Sequence, residues 1–285
     1  MLPPKKLAIF YGWPSTVNGT GSVAGATAVF QDYDVVIFGA GLEDPSHPDY
    51  ANTVQIIANL APNTKVYGYI NSEDSNTINW GNIDKWNAIG VAGIFCDNFG
   101  YDFNVDRDRQ NVLVEYTHYK GLSAFVNAWN PDDVFSDAVD PVKNPLGKAH
   151  MMGANDYYLS ESFQIIVNAY QDPVFWKAKS DKMAAYKATF GTKMATVTTT
   201  DASPYEQAKW DYSYLSAALY DFDLSGWGEE FFSAASSQLP FRPRANINGT
   251  SFITAITENP SDVFSRGTNV GIKVDTVNFT VSTIL

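Results

Sequence analysis

The feature that most constrains this chain is a rhythm. Short, almost uninterrupted apolar runs recur along it, each followed by a longer segment of mixed spacing. The runs are KLAIFYGW (6–13), YDVVIFGAGL (33–42), KVYGYINSE (65–73), VAGIFCDNF (91–99), SAFVNAWNP (123–131), DYYLSESFQ (156–164), KMATVTTT (193–200) and FDLSGWGEE (222–230). Between them lie segments such as HPDYANTVQIIANLAP, which sets Ile56, Ile57 and Leu60 on one helical face, and RDRQNVLVEYTHYKG, which ends at the stop signal Gly121. Strands that are apolar on both faces are buried on both faces, as in a parallel sheet with helical crossovers. Eight strand-then-helix units, the last one irregular, predict a closed (β/α)8, TIM-like barrel over residues 1–240. An open doubly wound sheet is the alternative. The lack of a G-x-G-x-x-G turn after the first run counts against it.

Beyond residue 240 the rhythm stops. Residues 241–285 are rich in Thr, Asn and β-branched residues, without a helical period. Val277, Phe279, Val281, Thr283 and Leu285 alternate with polar neighbours, the period-two signature of a strand. This reads as a short β-rich appendage outside the closed sheet. It is expected to pack on the outer surface of the barrel or to mediate self-association, and to contribute no catalytic residue.

Of the 285 residues, 45% are hydrophobic and 14% aromatic, enough for a large core. The net charge of −12 argues against nucleic acid as a partner, because phosphate neutralisation needs clustered Lys and Arg. The single cysteine, Cys96, permits no intrachain disulfide and no cysteine zinc site. His47, His118 and His150 have no ligand spacing, so neither a metal nor a cofactor is expected. No apolar run has membrane-spanning length, so no membrane insertion is expected. MLPPKKLAIFYGW lacks the apolar region of a signal peptide.

In a barrel, the carboxyl ends of the strands form the active face. The polar and aromatic residues there are Tyr11 and Trp13, Tyr69 and Asn71, Asp97 and Asn98, Asn127, Trp129 and Asn130, Glu161, Thr198 and Thr200, and Trp227. A carboxylate closes the buried fourth run and another closes the sixth. Paired carboxylates among aromatics are the equipment of glycoside hydrolysis: one protonates the leaving oxygen, the other stabilises or attacks the anomeric carbon. Aromatic faces cover the C–H surface of sugar rings. Each residue alone also has a plainer reading. Asp97 could cap a helix or a turn, Glu161 could pair with a buried base, and Trp13 and Trp227 could belong to the core. What points to a site is that the whole set falls on one face.

The motifs also resemble a known family. GIFCDNFGYDF resembles the G-[IV]-F-x-D-[NE]-x-x-x-Y segment after the fourth strand of the spherulin-4-like glycosidases and the related endo-α-1,4-polygalactosaminidases. FVNAWNPDDVF resembles their next strand and its N-P-G-type loop, and DYYLSESFQ their sixth strand, which ends in Glu. LAIFYGWP and KVYGYINSE resemble their aromatic-bearing first and third strands. In order, the set covers residues 7–230. The resemblance implies a (β/α)8 barrel that cleaves α-1,4-linked galactosamine-containing polysaccharide internally. Asp97 would be the nucleophile or stabilising carboxylate and Glu161 the general acid/base. On this reading Tyr11, Trp13, Tyr69, Trp129 and Trp227 hold the sugar chain, and Asn71, Asn98 and Asn127 bond its polar groups. A cationic galactosamine polymer suits an acidic protein. The spherulin-4 branch often carries Asp-Glu on the fourth strand, where this chain has Asp97-Asn98. The appendage lies outside the family core and suggests a domain of a larger extracellular, surface or phage-tail protein. Two other readings use the same barrel: a non-catalytic carbohydrate- or receptor-binding module, and a structural assembly domain.

Overall fold

The computed structural model describes residues 3–231, 233, 239–245, 247, 251–259, 263–267 and 271–284. In chain order the elements of the barrel region begin with β1 (Lys5–Phe10), α1 (Val23–Phe30), β2 (Val35–Phe38), α2 (Tyr50–Leu60), β3 (Lys65–Asn71), α3 (Asn76–Ala88), β4 (Gly93–Asp97) and α4 (Arg107–Tyr119). They continue with β5 (Ser123–Asn127), α5 (Pro131–Phe135), β6 (Tyr157–Ser160) and a short hairpin of β7 (Ile165–Ile166) and β8 (Ala169–Tyr170). The last are α6 (Pro173–Phe190), β9 (Lys193–Val197), α7 (Gln207–Leu219) and β10 (Leu224–Gly226). Strands β1 to β6, then β9 and β10, form a closed barrel, and every neighbouring pair is parallel. Each of the eight apolar runs supplies one barrel strand.

Alternation along the strands sorts side chains into two cores. Ile9, Tyr67, Phe95, Phe125, Leu159 and Val197 point inward and fill the barrel. Phe10, Val36, Ile94, Cys96, Val126 and Tyr158 point outward and pack under the helices. Gly93 occupies an inward position because the Tyr67 ring fills that space; a Cβ there would lie 2.3 Å from the ring. The helical units are less regular than the strands. The fifth helix, α5, has five residues and is followed by a long irregular crossover to β6. Buried Arg107 holds the start of that crossover, donating to the carbonyls of Val134, Asp133 and Ser136 at 2.6, 3.2 and 2.9 Å. After β10 no helix occurs among the described residues.

The C-terminal strands β11 (Thr257–Asn259), β12 (Val263–Arg266), β13 (Gly271–Asp275) and β14 (Thr280–Ile284) form an antiparallel meander outside the barrel. Its buried side chains, Phe264, Ile272 and Val274, face the helices. Phe264 meets Trp176 of α6 edge-on at 5.6 Å, and Arg266 donates to the Leu219 carbonyl of α7 at 3.1 Å. Between barrel and meander, Arg242 pairs with Glu229 at 2.5 Å and Arg244 donates to the Pro4 carbonyl at 2.7 Å. One detail of the sequence reading is corrected. Val277 and Phe279 do not continue the strand face of Val281, because residues 276–279 form the turn between β13 and β14. Asp275 organises that turn by accepting from the amides of Val277 and Asn278. Val277 is exposed, and Phe279, at φ 51°, stacks on Tyr170 at 4.4 Å. Leu285 lies outside the described residues.

Candidate active site

The phase of the strands builds the site. Tyr11, Tyr69, Asp97, Asn127 and Glu161 each lie two residues beyond an inward core side chain, so strand alternation sets them as one polar layer above the barrel core. Asp97, Asn98, Asp102, Phe103, Asn127, Ala128, Trp129 and Glu161 line a cavity of about 240 Å³ at this carboxyl end. At its centre Asn127 donates from one nitrogen, Nδ2, to Asp97 Oδ1 at 2.9 Å and to Glu161 Oε2 at 3.0 Å. Asp97 also accepts from the Asn98 amide and the Tyr69 hydroxyl. It caps no helix: α4 is capped by Asp106, which accepts from the Arg109 amide at 2.8 Å.

Burial raises the pKa of both carboxyls. For Asp97, Asn127, the Asn98 amide and Tyr69 pull the other way, while Glu73 adds to the rise. For Glu161, Asn127 opposes the rise, the Asp97 charge adds to it, and Lys179 opposes it. Asp97 therefore has three donors for its charged form and Glu161 one. More donors thus favour the charged form of Asp97 than that of Glu161. Burial, then the charges of Asp97 and neighbouring groups, pushes the phenols of Tyr11 and Tyr69 up, so both stay protonated.

The remaining expected residues divide. Tyr11 and Tyr69 meet edge-on at 5.5 Å beside the carboxylates. Asn98, at φ 55°, donates to Asn71 Oδ1 and Glu73 Oε2, both at 3.2 Å, so Asn71 supports the cavity wall from behind Asn98. Trp129 stands half-exposed in the wall. Trp13 is equally exposed, but it packs edge-on against His47 and does not line this cavity. Trp227 is a correction: it is 8% exposed and packed between Tyr205 and Trp210, in the core on the far side of β10. Leu224 points inward, so the same alternation turns Trp227, three residues on, outward. Asn130 caps α5 by accepting from the Asp132 amide.

Four residues of the site escaped the sequence reading. Asp102 and Phe103 come from a helical turn, Tyr101–Phe103, after β4. Gly100 makes room for it: a Cβ there would lie 2.3 Å from the Asp102 carboxyl. Glu73 follows β3. Lys179 lies on α6, far along the chain, with no local signature. Its ammonium sits under the Trp129 ring, 4.6 Å from the centroid, is fully buried and has no hydrogen-bond partner among the described residues. Burial brings its pKa down to about 8, against the pull of Glu161 and Asp102.

A larger cavity, about 460 Å³, opens at the opposite end of the barrel, where Lys65, Ser123 and Lys193 begin their strands. There His118 and buried Asp156 pair at 3.0 Å, and Asp156 also accepts from the amides of Ala124 and Gly153. Those bonds tie strand starts together, the stabilising end of such a barrel. Among the described residues no group of three or more His, Cys, Asp or Glu is placed to hold a metal ion.

No known sequence family and no curated protein matches the chain. Solved structures do. The carboxyl transferase domain of Rhizobium etli pyruvate carboxylase superposes with a TM-score of 0.50 at 9% identity, over 80% of this chain and 42% of that one. Type I 3-dehydroquinate dehydratase from Clostridium difficile gives 0.44 at 8% identity, over 82% and 88%. An enolase-superfamily member from Agrobacterium tumefaciens gives 0.44 at 9%, over 79% and 50%. This chain spans less than half of the pyruvate carboxylase chain. With the closed parallel barrel, the first likeness establishes the fold: a (β/α)8 barrel, an architecture shared with enzymes.

Proposed function

We propose that this barrel is a retaining, endo-acting glycoside hydrolase for an amino-sugar polysaccharide of the galactosamine type. Asp97 is the nucleophile and Glu161 the general acid/base. One observation carries the reading: two partly buried carboxyls, on β4 and at the end of β6, share the amide donor of Asn127 on the strand between them. An amide nitrogen sends its two N–H bonds about 120° apart. Ideal bonds along both directions would set the two accepting oxygens roughly 5 Å apart, the spacing of a retaining pair. The motif resemblance supports the choice of substrate.

In the first step Asp97 attacks the anomeric carbon as the glycosidic C–O bond breaks, and Glu161 gives its proton to the leaving oxygen. In the second, Glu161 takes a proton from water, whose oxygen attacks the same carbon and releases Asp97. Tyr69 and Asn127 hold the Asp97 carboxylate for attack, and Trp129 and Phe103 offer faces to the sugar.

The test is release of reducing ends from α-1,4-galactosaminan, acetylated and deacetylated, with the anomer of the first product followed by NMR. Retention of configuration is expected. Glu161→Gln should lose about 10²–10⁴-fold on the polymer and far less on an aryl glycoside that needs no protonation. Equal losses on both substrates would remove the acid role from Glu161. No release from the wild-type protein would remove the glycosidase reading.

A further inference from the structure

A second cavity, about 660 Å³, lies on the same face of the barrel, between the start of α5 and the first half of α6. Trp129, Pro131, Ile166, Phe175, Lys179 and Lys182 are among its lining residues. Trp129 belongs to both cavities, so the indole is a partition with the carboxylate pair on one side and this space on the other. Phe175 is 69% exposed and Trp129 49% exposed, a cost in water unless something covers them.

The partition has an unusual support. The Lys179 ammonium is buried under the indole without a hydrogen-bond partner among the described residues. A buried, unpartnered ammonium is expensive, and structures that keep one use it. Here the cation–π contact fixes the ring that both cavities share.

We propose that the cavity beyond Trp129 is a further sugar-binding subsite continuing the carboxylate cleft, and that Lys179 is the positioning residue that holds Trp129 as their common wall. The proposal rests on the glycosidase reading and adds an occupant: the sugar units of the same chain that lie beyond those at the carboxylates. Phe175 and Trp129 give the apolar faces that sugar C–H surfaces stack on. Gln171, Asp172 and Lys182 at the rim supply donors and acceptors for hydroxyls. A site of this length favours cleavage inside a polymer.

The test is calorimetric titration of the full chain carrying Glu161→Gln with partially acetylated α-1,4-galactosamine oligosaccharides of increasing length. Affinity should rise with length. Phe175→Ala touches only the second cavity and an exposed position. It should cost the longest oligosaccharide roughly tenfold, as for one lost aromatic platform, and leave the disaccharide unchanged. Lys179→Met should give a similar loss together with a shift in tryptophan fluorescence, and Lys179→Arg should restore both. Because Glu161 is already neutral in this background, these losses cannot come from its titration. Affinity independent of length, or a length dependence that survives Phe175→Ala, would overturn the subsite. So would a complete absence of binding. The glycosidase reading falls separately, only if the wild-type protein releases no reducing ends.

Discussion

Asp97 and Glu161, on strands two places apart in the barrel, are joined through a single atom. The Asn127 Nδ2 lies 2.9 Å from one carboxyl and 3.0 Å from the other. Both acids are thus fixed in position and coupled in charge, since the nitrogen stabilises the ionised form of each. Replacing Asn127 with Ala should lower kcat/KM about 10–100-fold, the worth of hydrogen bonds to charged groups. It should also move the acid limb of the pH–rate profile upward, because Asp97 would ionise later. An unchanged acid limb would show that Asn127 does not tune Asp97.

Asp97→Asn should reduce turnover about a thousandfold or more, as expected for loss of a nucleophile. The melting temperature should stay within a few degrees, because Asp97 caps no helix and holds no ion pair among the described residues. Large destabilisation with activity retained would make it a structural residue.

Both acids bind protons more tightly in the fold than in the unfolded chain. Their contribution to stability is therefore complete below the ordinary carboxylate range and is lost as pH rises through their raised values. At neutral pH the pair should cost stability. The double variant Asp97→Asn, Glu161→Gln should melt about 2–4 °C higher at pH 7, what roughly 1 kcal/mol moves in a chain of this size. At pH 4 it should show no gain. A gain that does not depend on pH would assign the effect to packing.

Cys96 is adjacent to Asp97 yet lies on the other side of the barrel wall, buried under the helices. Burial, with the nearby charges of Asp156 and Asp97, raises its pKa and keeps it a thiol. It should resist thiol reagents in the native protein and react on unfolding. Fast native labelling with loss of activity would place it in the cleft.

Phe264 of the meander, 2% exposed against Trp176, should matter for stability alone. Phe264→Ala is expected to cost about 3–5 kcal/mol, read by denaturant unfolding. KM should not change, because no described meander residue lines either cavity beside Trp129.

Sequence by itself determined the barrel. Eight runs buried on both faces have few ways to be covered other than by a closed parallel sheet and a ring of helices, and the period of two sets which side chains face inward. That period is why Asp97, Asn127 and Glu161 were legible as one layer, and why Cys96 had to face away. The same period, counted from inward Leu224, sends Trp227 outward into the core under the helices. Tertiary structure decided what lies further along the loops, where no period constrains direction. It broke the Val277–Val281 alternation with a turn and made Asn71 a partner of Asn98. It also brought in Lys179, whose role depends on the approach of α6 to the loop after β5. Contacts between distant segments are fixed by packing, and packing leaves no spacing in the chain to read.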